Sequence, residues 1–138
     1  MIRFQLVMIA CVIGVSSIWA PPAARAADNV TYEIVSNDVA AANIEYFDFS
    51  ERKMLYAVPL PWRMDVTVPD ARTPSTDGAE VRADWRPRVC DGRALCPEAR
   101  PNHWVTVRIY LRGKIICEST LDVGNASCYG STPFKSDG

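Results

Sequence analysis

Five short segments of this chain place an apolar residue at every second position, and this pattern restricts the fold more than any other feature. Alternation with a period of two is typical of a strand that buries one face. Turn-forming clusters such as Ser36–Asp38, Ser50–Arg52 and Pro74–Gly78 separate the segments. About seven or eight short strands at this spacing predict an all-β domain, an antiparallel β-sandwich of the immunoglobulin-like kind. The alternating residues are Val30, Tyr32 and Ile34; Ile44 and Tyr46; Met64, Val66 and Val68; Ala79, Val81, Ala83 and Trp85; and Val105, Val107, Ile109 and Leu111.

The N-terminal segment, residues 1–26, has the features of a secretory signal. One charge at Arg3 precedes an apolar run from Phe4 to Ala20, and Ala24-Arg25-Ala26 offers the small residues that signal peptidase recognises. We therefore expect cleavage after Ala26, which leaves a soluble exported domain over residues 27–130 and a flexible tail over 131–138. The alternative is an uncleaved membrane anchor, because an apolar run of about 17 residues can span a bilayer. Either way the domain is expected in the periplasm or cell envelope, or secreted.

The charge balance argues against a nucleic-acid partner. The chain has 15 basic and 16 acidic residues, and loss of Arg3 and Arg25 with the signal leaves 13 and 16, a net charge of minus three. Proteins that bind nucleic acid rely on a surplus of basic residues. The remaining chain is also large enough for only one core, so a single domain is expected.

Tryptophans flank the most arginine-rich part of the chain. Trp85 and Trp104 stand on either side of it, and their ordinary role would be core packing beside a solvated surface. The alternative is a partner-docking patch, because arginine and rigid aromatic side chains are frequent hot spots. Trp62 follows Pro61, which cannot donate a ladder hydrogen bond, so this segment belongs at a strand start or an edge, where the indole is expected to plug the sheet end. The candidate docking residues are Trp62, Trp85, Arg86, Arg88, Arg93, Arg100 and Trp104.

The cysteines predict two disulfides. Four of the five follow residue 26, and an even number in an exported domain is typical of bridges. Of three possible pairings, proximity along the chain favours Cys90 with Cys96 and Cys117 with Cys128. Metal binding is the alternative, but the spacings lack the short pairs of zinc sites and the chain has a single histidine. We expect no metal and no cofactor.

Four motifs in a fixed order resemble the MmpS family of small mycobacterial membrane proteins. They are Val30-Thr31-Tyr32-Glu33, Ile44-Glu45-Tyr46-Phe47-Asp48, Leu60-Pro61-Trp62, and a late hairpin over residues 107–115 followed by Cys128. The resemblance covers about residues 30–85 and 104–129. It implies a β-sandwich that acts as a non-enzymatic accessory protein of an MmpL transporter of the resistance-nodulation-division class, in export of lipids or siderophores across an actinobacterial envelope. It also implies membrane association, through the N-terminal segment or through the partner.

Two features depart from that family. Residues 86–103 have no counterpart in its short members, and the first family cysteine stands where this chain has Val107. A three-residue hairpin loop, Leu111–Gly113, would set Tyr110 opposite Lys114 and Val107 opposite Cys117. Cys117 would then be the cross-strand neighbour of the family position and still reach Cys128.

Residues for catalysis are scarce. The chain has one histidine and none of the common nucleophile or phosphate-binding motifs, so we expect no enzyme. Glu33 and Glu45 are the one carboxylate pair considered, and solvated surface is their ordinary role. The alternative to the transport role is a diverged secreted β-sandwich that binds a protein or an apolar ligand without a transporter.

Overall fold

The computed structural model describes residues 19–21, 25–86 and 102–133, and these form two antiparallel four-stranded sheets. The order is β4-β1-β6-β7 in the first sheet and β3-β2-β5-β8 in the second. The expected β-sandwich of seven or eight strands is therefore confirmed. No helix in the described residues is long and apolar enough to cross a membrane. The strands are β1 (Asp28–Val35), β2 (Ala41–Asp48), β3 (Glu51–Pro59), β4 (Trp62–Val68), β5 (Glu80–Asp84), β6 (Val105–Leu111), β7 (Lys114–Leu121) and β8 (Asn125–Tyr129).

The core lies between the two sheets and contains most of the residues that the alternation predicts, although Met64, Trp85 and Leu111 are only partly buried. It also contains residues outside that alternation, among them Ala42, Ala71, Ile116 and Ala126. On β1, for example, Val30, Tyr32 and Ile34 are buried while Thr31 and Glu33 face outward. Burial of one face of each strand supplies the main driving force for joining the sheets. Tyr32 brings a hydroxyl into this core, where it donates to the carbonyl of Phe47 at 2.7 Å and accepts from the N–H of Glu80 at 3.3 Å. This burial raises the pKa of Tyr32 well above its usual value.

The edge strand β3 is the element that the sequence reasoning missed. Ser50–Arg52 reads as a turn, but the turn consists of Phe49 and Ser50, both at positive φ, and β3 begins at Glu51. Most of β3 is exposed, so its apolar periodicity is weak. A bulge at Ala57, with φ of 49° and its N–H bonded to the Asn43 side chain, interrupts the strand.

The β6–β7 hairpin differs from the expected register. Its loop has two residues, Arg112 and Gly113, both at positive φ, and Leu111 faces Lys114. Turns of this type match the twist of paired strands, which offsets the strain at Arg112. The expected three-residue loop, with Val107 opposite Cys117, is therefore wrong.

A β-bulge just after the hairpin turn makes the side chain of Cys117 point into the core. The register shifts at Ile109, which pairs with Cys117, while Val107 pairs with Ser119. Ile116 and Cys117 are consequently both buried, at 4% and 9% exposure. The extra residue shifts the side chains after it to the opposite face of the sheet.

The disulfide Cys117–Cys128 joins the two sheets, as the sequence predicts. Cys117 lies on β7 of the first sheet and Cys128 on β8 of the second, with 5.7 Å between their Cα atoms. The Sγ of Cys128 lies 3.4 Å from the carbonyl oxygen of Val107. The bridge thus ties together two edge strands that share no ladder hydrogen bonds. Cys90 and Cys96 lie outside the described residues.

Because successive strands run in opposite directions, the connections between them lie at two opposite ends of the sandwich. The tryptophan end comprises the connections 36–40, 60–61, 85–104 and 122–124, of which residues 87–101 are not described. The closed end comprises 49–50, 69–79 and 112–113, together with Asp28 and Gly130. At the closed end, Ala71 and Ala79 are buried and the carboxylate of Asp28 accepts from the N–H of Ala71 at 2.9 Å.

Candidate functional site

The three tryptophans of the sandwich, Trp62, Trp85 and Trp104, all lie at the tryptophan end. Trp62 is the first residue of β4, Trp85 follows β5, and Trp104 precedes β6. They are up to 42 residues apart in the sequence, yet the up-and-down course of the strands brings their connections to one side. The candidate docking residues that the structure describes are therefore grouped.

Trp62 is a plug of the sandwich, as predicted. Its side chain is partly buried against the core, and its ring centroid lies 5.5 Å from that of Tyr46. Tyr46 in turn lies 5.7 Å from Tyr32, so the three rings form a tilted stack through the core. Pro61 precedes β4, which is an edge strand, in agreement with the position expected for a proline.

Trp85 and Trp104 differ in exposure. Trp85 packs partly against the core, its backbone N–H donates to the carbonyl of Gly124 at 2.9 Å, and its indole N–H has no partner among the described residues. Trp104 is 46% exposed. Its backbone is held on both sides, because its N–H donates to Asp38 at 3.3 Å and its carbonyl accepts from the Ser36 hydroxyl at 2.6 Å. The exposed indole is thus carried by a fixed backbone.

Arg86 is the one predicted docking arginine that the structure describes. Its guanidinium binds the carboxylate of Asp84 through both Nε and Nη2, which raises the pKa of Arg86. The other three arginines, Arg88, Arg93 and Arg100, lie outside the described residues. Asp38, Asp84 and Asp122 also lie at or beside this end, so its described part is not basic.

A groove runs beside Trp104 on the outer surface of the first sheet. Its volume is about 370 Å³. Sequence reasoning assigned Asn37 and Asp38 only as turn formers, and no local signal connects them with a tryptophan more than 60 residues away. The lining residues are Val35, Ser36, Asn37, Asp38, Pro61, Trp104 and Thr106.

A ladder of alternating charges crosses the outer face of the first sheet. Glu33 on β1 binds Arg63 on β4 at 2.8 Å and Arg108 on β6 at 3.0 Å, and Arg108 also binds Glu118 on β7. Tyr110 donates its hydroxyl to Glu33 at 2.9 Å. Burial alone would raise the pKa of Glu33, but these hydrogen bonds outweigh it and hold the pKa below its usual 4.5. We call Glu33, Arg63, Arg108 and Glu118 the charge ladder.

The two carboxylates considered for catalysis lie apart. Glu33 projects from the first sheet and Glu45 from the second, where it forms an ion pair with Arg52. Glu33 and Glu45 therefore do not face each other across paired strands. Within the residues that the structure describes, no three His, Cys, Asp or Glu side chains gather where they could hold a metal ion.

No protein-family model matches the chain, and the search of curated proteins finds no match. The resemblance to the MmpS family accordingly rests on the order and spacing of the four motifs.

Proposed function

We propose that this protein is a non-enzymatic accessory protein of an MmpL-type transporter, which assists the export of lipids or siderophores across an actinobacterial cell envelope. The observation that carries the proposal is where the motifs lie in the fold. The β1 motif, the start of β4 and the β6–β7 hairpin belong to the four strands of the first sheet, and the remaining motif forms β2. Three of the four motifs thus lie in one sheet, and the fourth lies in the sheet that packs against it.

A binding role also fits the outward-facing polar groups. The carboxylates of the charge ladder are bound to arginines, and Glu45 is bound to Arg52, so these groups brace the sheets. The tryptophan end instead presents exposed apolar side chains, Trp104 at 46% and Val123 at 56%. Exposed aromatic surface beside polar residues is typical of protein contact sites. We therefore assign transporter docking to the tryptophan end and its 86–102 connection.

Affinity purification of the tagged full chain from its own membranes tests the proposal. The expected result is co-purification of a transporter of the resistance-nodulation-division class, identified by mass spectrometry. Deletion of residues 86–102 should abolish it, and any residual association should not depend on salt, since the arginines that steer binding are lost. A matched control, Phe49→Ala, changes an exposed aromatic at the opposite end and should leave co-purification intact.

Two other outcomes would contradict parts of the proposal. Unchanged co-purification after the deletion would remove the 86–102 connection from the interface and move the search to the Leu60-Pro61-Trp62 edge. If the intact chain captures no transporter, the secreted binding module becomes the better explanation. N-terminal sequencing separates the two locations: a start at Ala27 gives a soluble protein, whereas retention of Met1 in washed membranes gives an anchored one.

A further inference from the structure

We propose that the groove beside Trp104 is a binding site for a neutral saccharide. Two other hollows in the described part of the chain, one on the outer face of the second sheet and one beside Arg112 and Gly113, have no aromatic residue in their lining. The hollow on the outer face of the second sheet, for example, is lined by Glu45, Arg82, Asp84 and Arg86, whose charges are already engaged in ion pairs. The groove beside Trp104 combines a flat apolar face with polar groups that remain available.

The backbone that carries the apolar wall of the groove is fixed before any ligand arrives. Both backbone polar groups of Trp104 are bound to the 36–40 connection, and Ser36 is fully occupied, because its oxygen also accepts from the N–H groups of Asp38 and Val39. A ligand that stacks on this indole therefore pays little for ordering the backbone. Pro61 and Val35 add further rigid apolar surface.

The polar wall offers donors and acceptors together. The side-chain amide of Asn37 is exposed and forms no hydrogen bond within the described residues. Asp38 uses Oδ2 to accept from Trp104, which leaves Oδ1 open toward a ligand. The Thr106 hydroxyl is shared with that of Thr120 at 2.8 Å, and an oxygen in such a pair can still accept a further hydrogen bond.

The combination of an indole face with polar side chains favours one class of ligand over the others. A sugar ring has an apolar C–H face and a rim of hydroxyls that both donate and accept, so it matches the indole and the polar wall at once. An anion would meet the carboxylate of Asp38, the one charged residue lining the groove. An apolar ligand would bury Asn37 and Asp38 without partners, which is costly. A cation would suit Trp104 and Asp38 but would leave the donors of Asn37 unpaired.

The size of the groove fits a short oligosaccharide. Its volume of about 370 Å³ lies near the lower end of the range for small-molecule sites, about 300–1,000 Å³. The groove is also open to solvent, so a longer glycan or the saccharide head of a lipid has room to extend beyond it.

The test starts from the full chain, kept in detergent if the N-terminal segment is retained. A printed array of neutral glycans identifies the binder, and saturation-transfer NMR with maltose, cellobiose and the best array glycan maps the contact. The expected result is stronger saturation of the protons on one face of a sugar ring. Trp104→Ala should weaken binding at least about tenfold and Asn37→Ala about threefold, as expected for a central anchor and a peripheral polar contact.

Matched variants separate binding from folding. Trp104→Phe keeps an aromatic face and should retain most of the affinity. Phe49→Ala removes an aromatic side chain that is 59% exposed at the closed end and does not line the groove, and this variant should bind as the unmodified protein does. Circular dichroism and melting curves confirm that each variant is folded.

Three outcomes would overturn the saccharide site. They are an array without any binder, glycan binding that persists in folded Trp104→Ala, and Trp104-dependent binding of tetramethylammonium or decaproline in place of every glycan. The last would assign the groove to a cation or a proline-rich peptide. None of these outcomes depends on a transporter, so the saccharide site and the docking role can fail separately.

Discussion

At the closed end of the sandwich the 69–79 connection packs onto the core and Ala71 is completely buried, whereas at the tryptophan end Trp104 and Val123 remain largely exposed. The closed end binds its polar groups to itself: Asp28 accepts from Ala71, and the N–H of Gly130 donates to Ala79 at 2.9 Å. The tryptophan end leaves Asn37 and one oxygen of Asp38 open. Under the proposed function, stability depends mainly on the closed end and recognition on the tryptophan end, and substitutions at the two ends should separate these properties.

Gly130→Ala at the closed end should have the largest effect. A Cβ at residue 130 would overlap the backbone carbonyl of Ala71 and lie 3.3 Å from the Cβ of Ala79. Because backbone atoms must move, we expect a loss of more than about 3 kcal/mol in the free energy of unfolding. Urea denaturation measures it. Gly113→Ala is the control: its Cβ meets nothing, so only its positive φ costs about 1 kcal/mol. Equal losses would show that the closed end is not tightly packed.

Loss of the inter-sheet bridge should rank next. Cys117→Ser opens a link between residues 11 apart in sequence, which should cost about 3 kcal/mol. The matched change is Cys90→Ser, which removes the predicted Cys90–Cys96 bridge and should cost about 1 kcal/mol less, since the Cys117–Cys128 bridge closes the longer loop and joins the two sheets. Melting curves compare the two variants. Non-reducing peptide mapping checks the pairing, and a dominant Cys90–Cys128 peptide would contradict it.

Between the two ends, the charge ladder should contribute a smaller, pH-dependent amount. The pKa of Glu33 is lower in the folded protein than in the unfolded chain, so its contribution is present above the unfolded pKa and is lost as pH falls through the folded pKa. We expect Glu33→Gln to lose about 1 kcal/mol at pH 7 and almost nothing well below pH 4.5. Denaturant titrations at several pH values measure the difference, and a constant difference would exclude the carboxylate as its cause.

Trp104→Ala should have the smallest effect on stability. The indole is 46% exposed, so its removal should change the free energy of unfolding by less than about 1 kcal/mol. Trp62→Ala is the informative partner, because that ring packs on Tyr46 and its loss should cost about 3 kcal/mol. Similar losses in chemical denaturation would mean that Trp104 is a core residue, and the contrast between the ends would then not hold.

Sequence reasoning recovered the parts of the fold that depend on local pattern. Alternation identified the buried faces of β1, β2, β4, β5 and β6, and Pro61 was correctly placed before an edge strand. It missed β3, because an exposed edge strand buries too little to show a period. It also misjudged the β6–β7 hairpin, where a bulge at Ile116 compensates for the shorter turn. Bulges carry little sequence signal, since the extra residue is selected by packing in the folded state.

The candidate site was recovered in part. Trp62, Trp85 and Trp104 were singled out as possible contacts, and the structure groups them, but only Trp104 is strongly exposed. Asn37 and Asp38 were assigned to a turn, and this assignment is correct as local structure. It does not predict the groove that the two residues line. The exposure of a tryptophan depends on what packs over it, and that is settled by distant residues.

By itself, the sequence determined which side chains of β1, β2, β4, β5 and β6 face the core and favoured the pairing of Cys117 with Cys128, because alternation and short separation act within one or two strands. Only the tertiary structure decided which strands and which side chains lie next to each other. Glu33 finds Arg108 75 residues away and Asp38 finds Trp104 66 residues away, across strands whose order no local pattern encodes. The physical reason is that hydrophobic periodicity specifies a face, whereas strand order and register depend on how all the faces pack together.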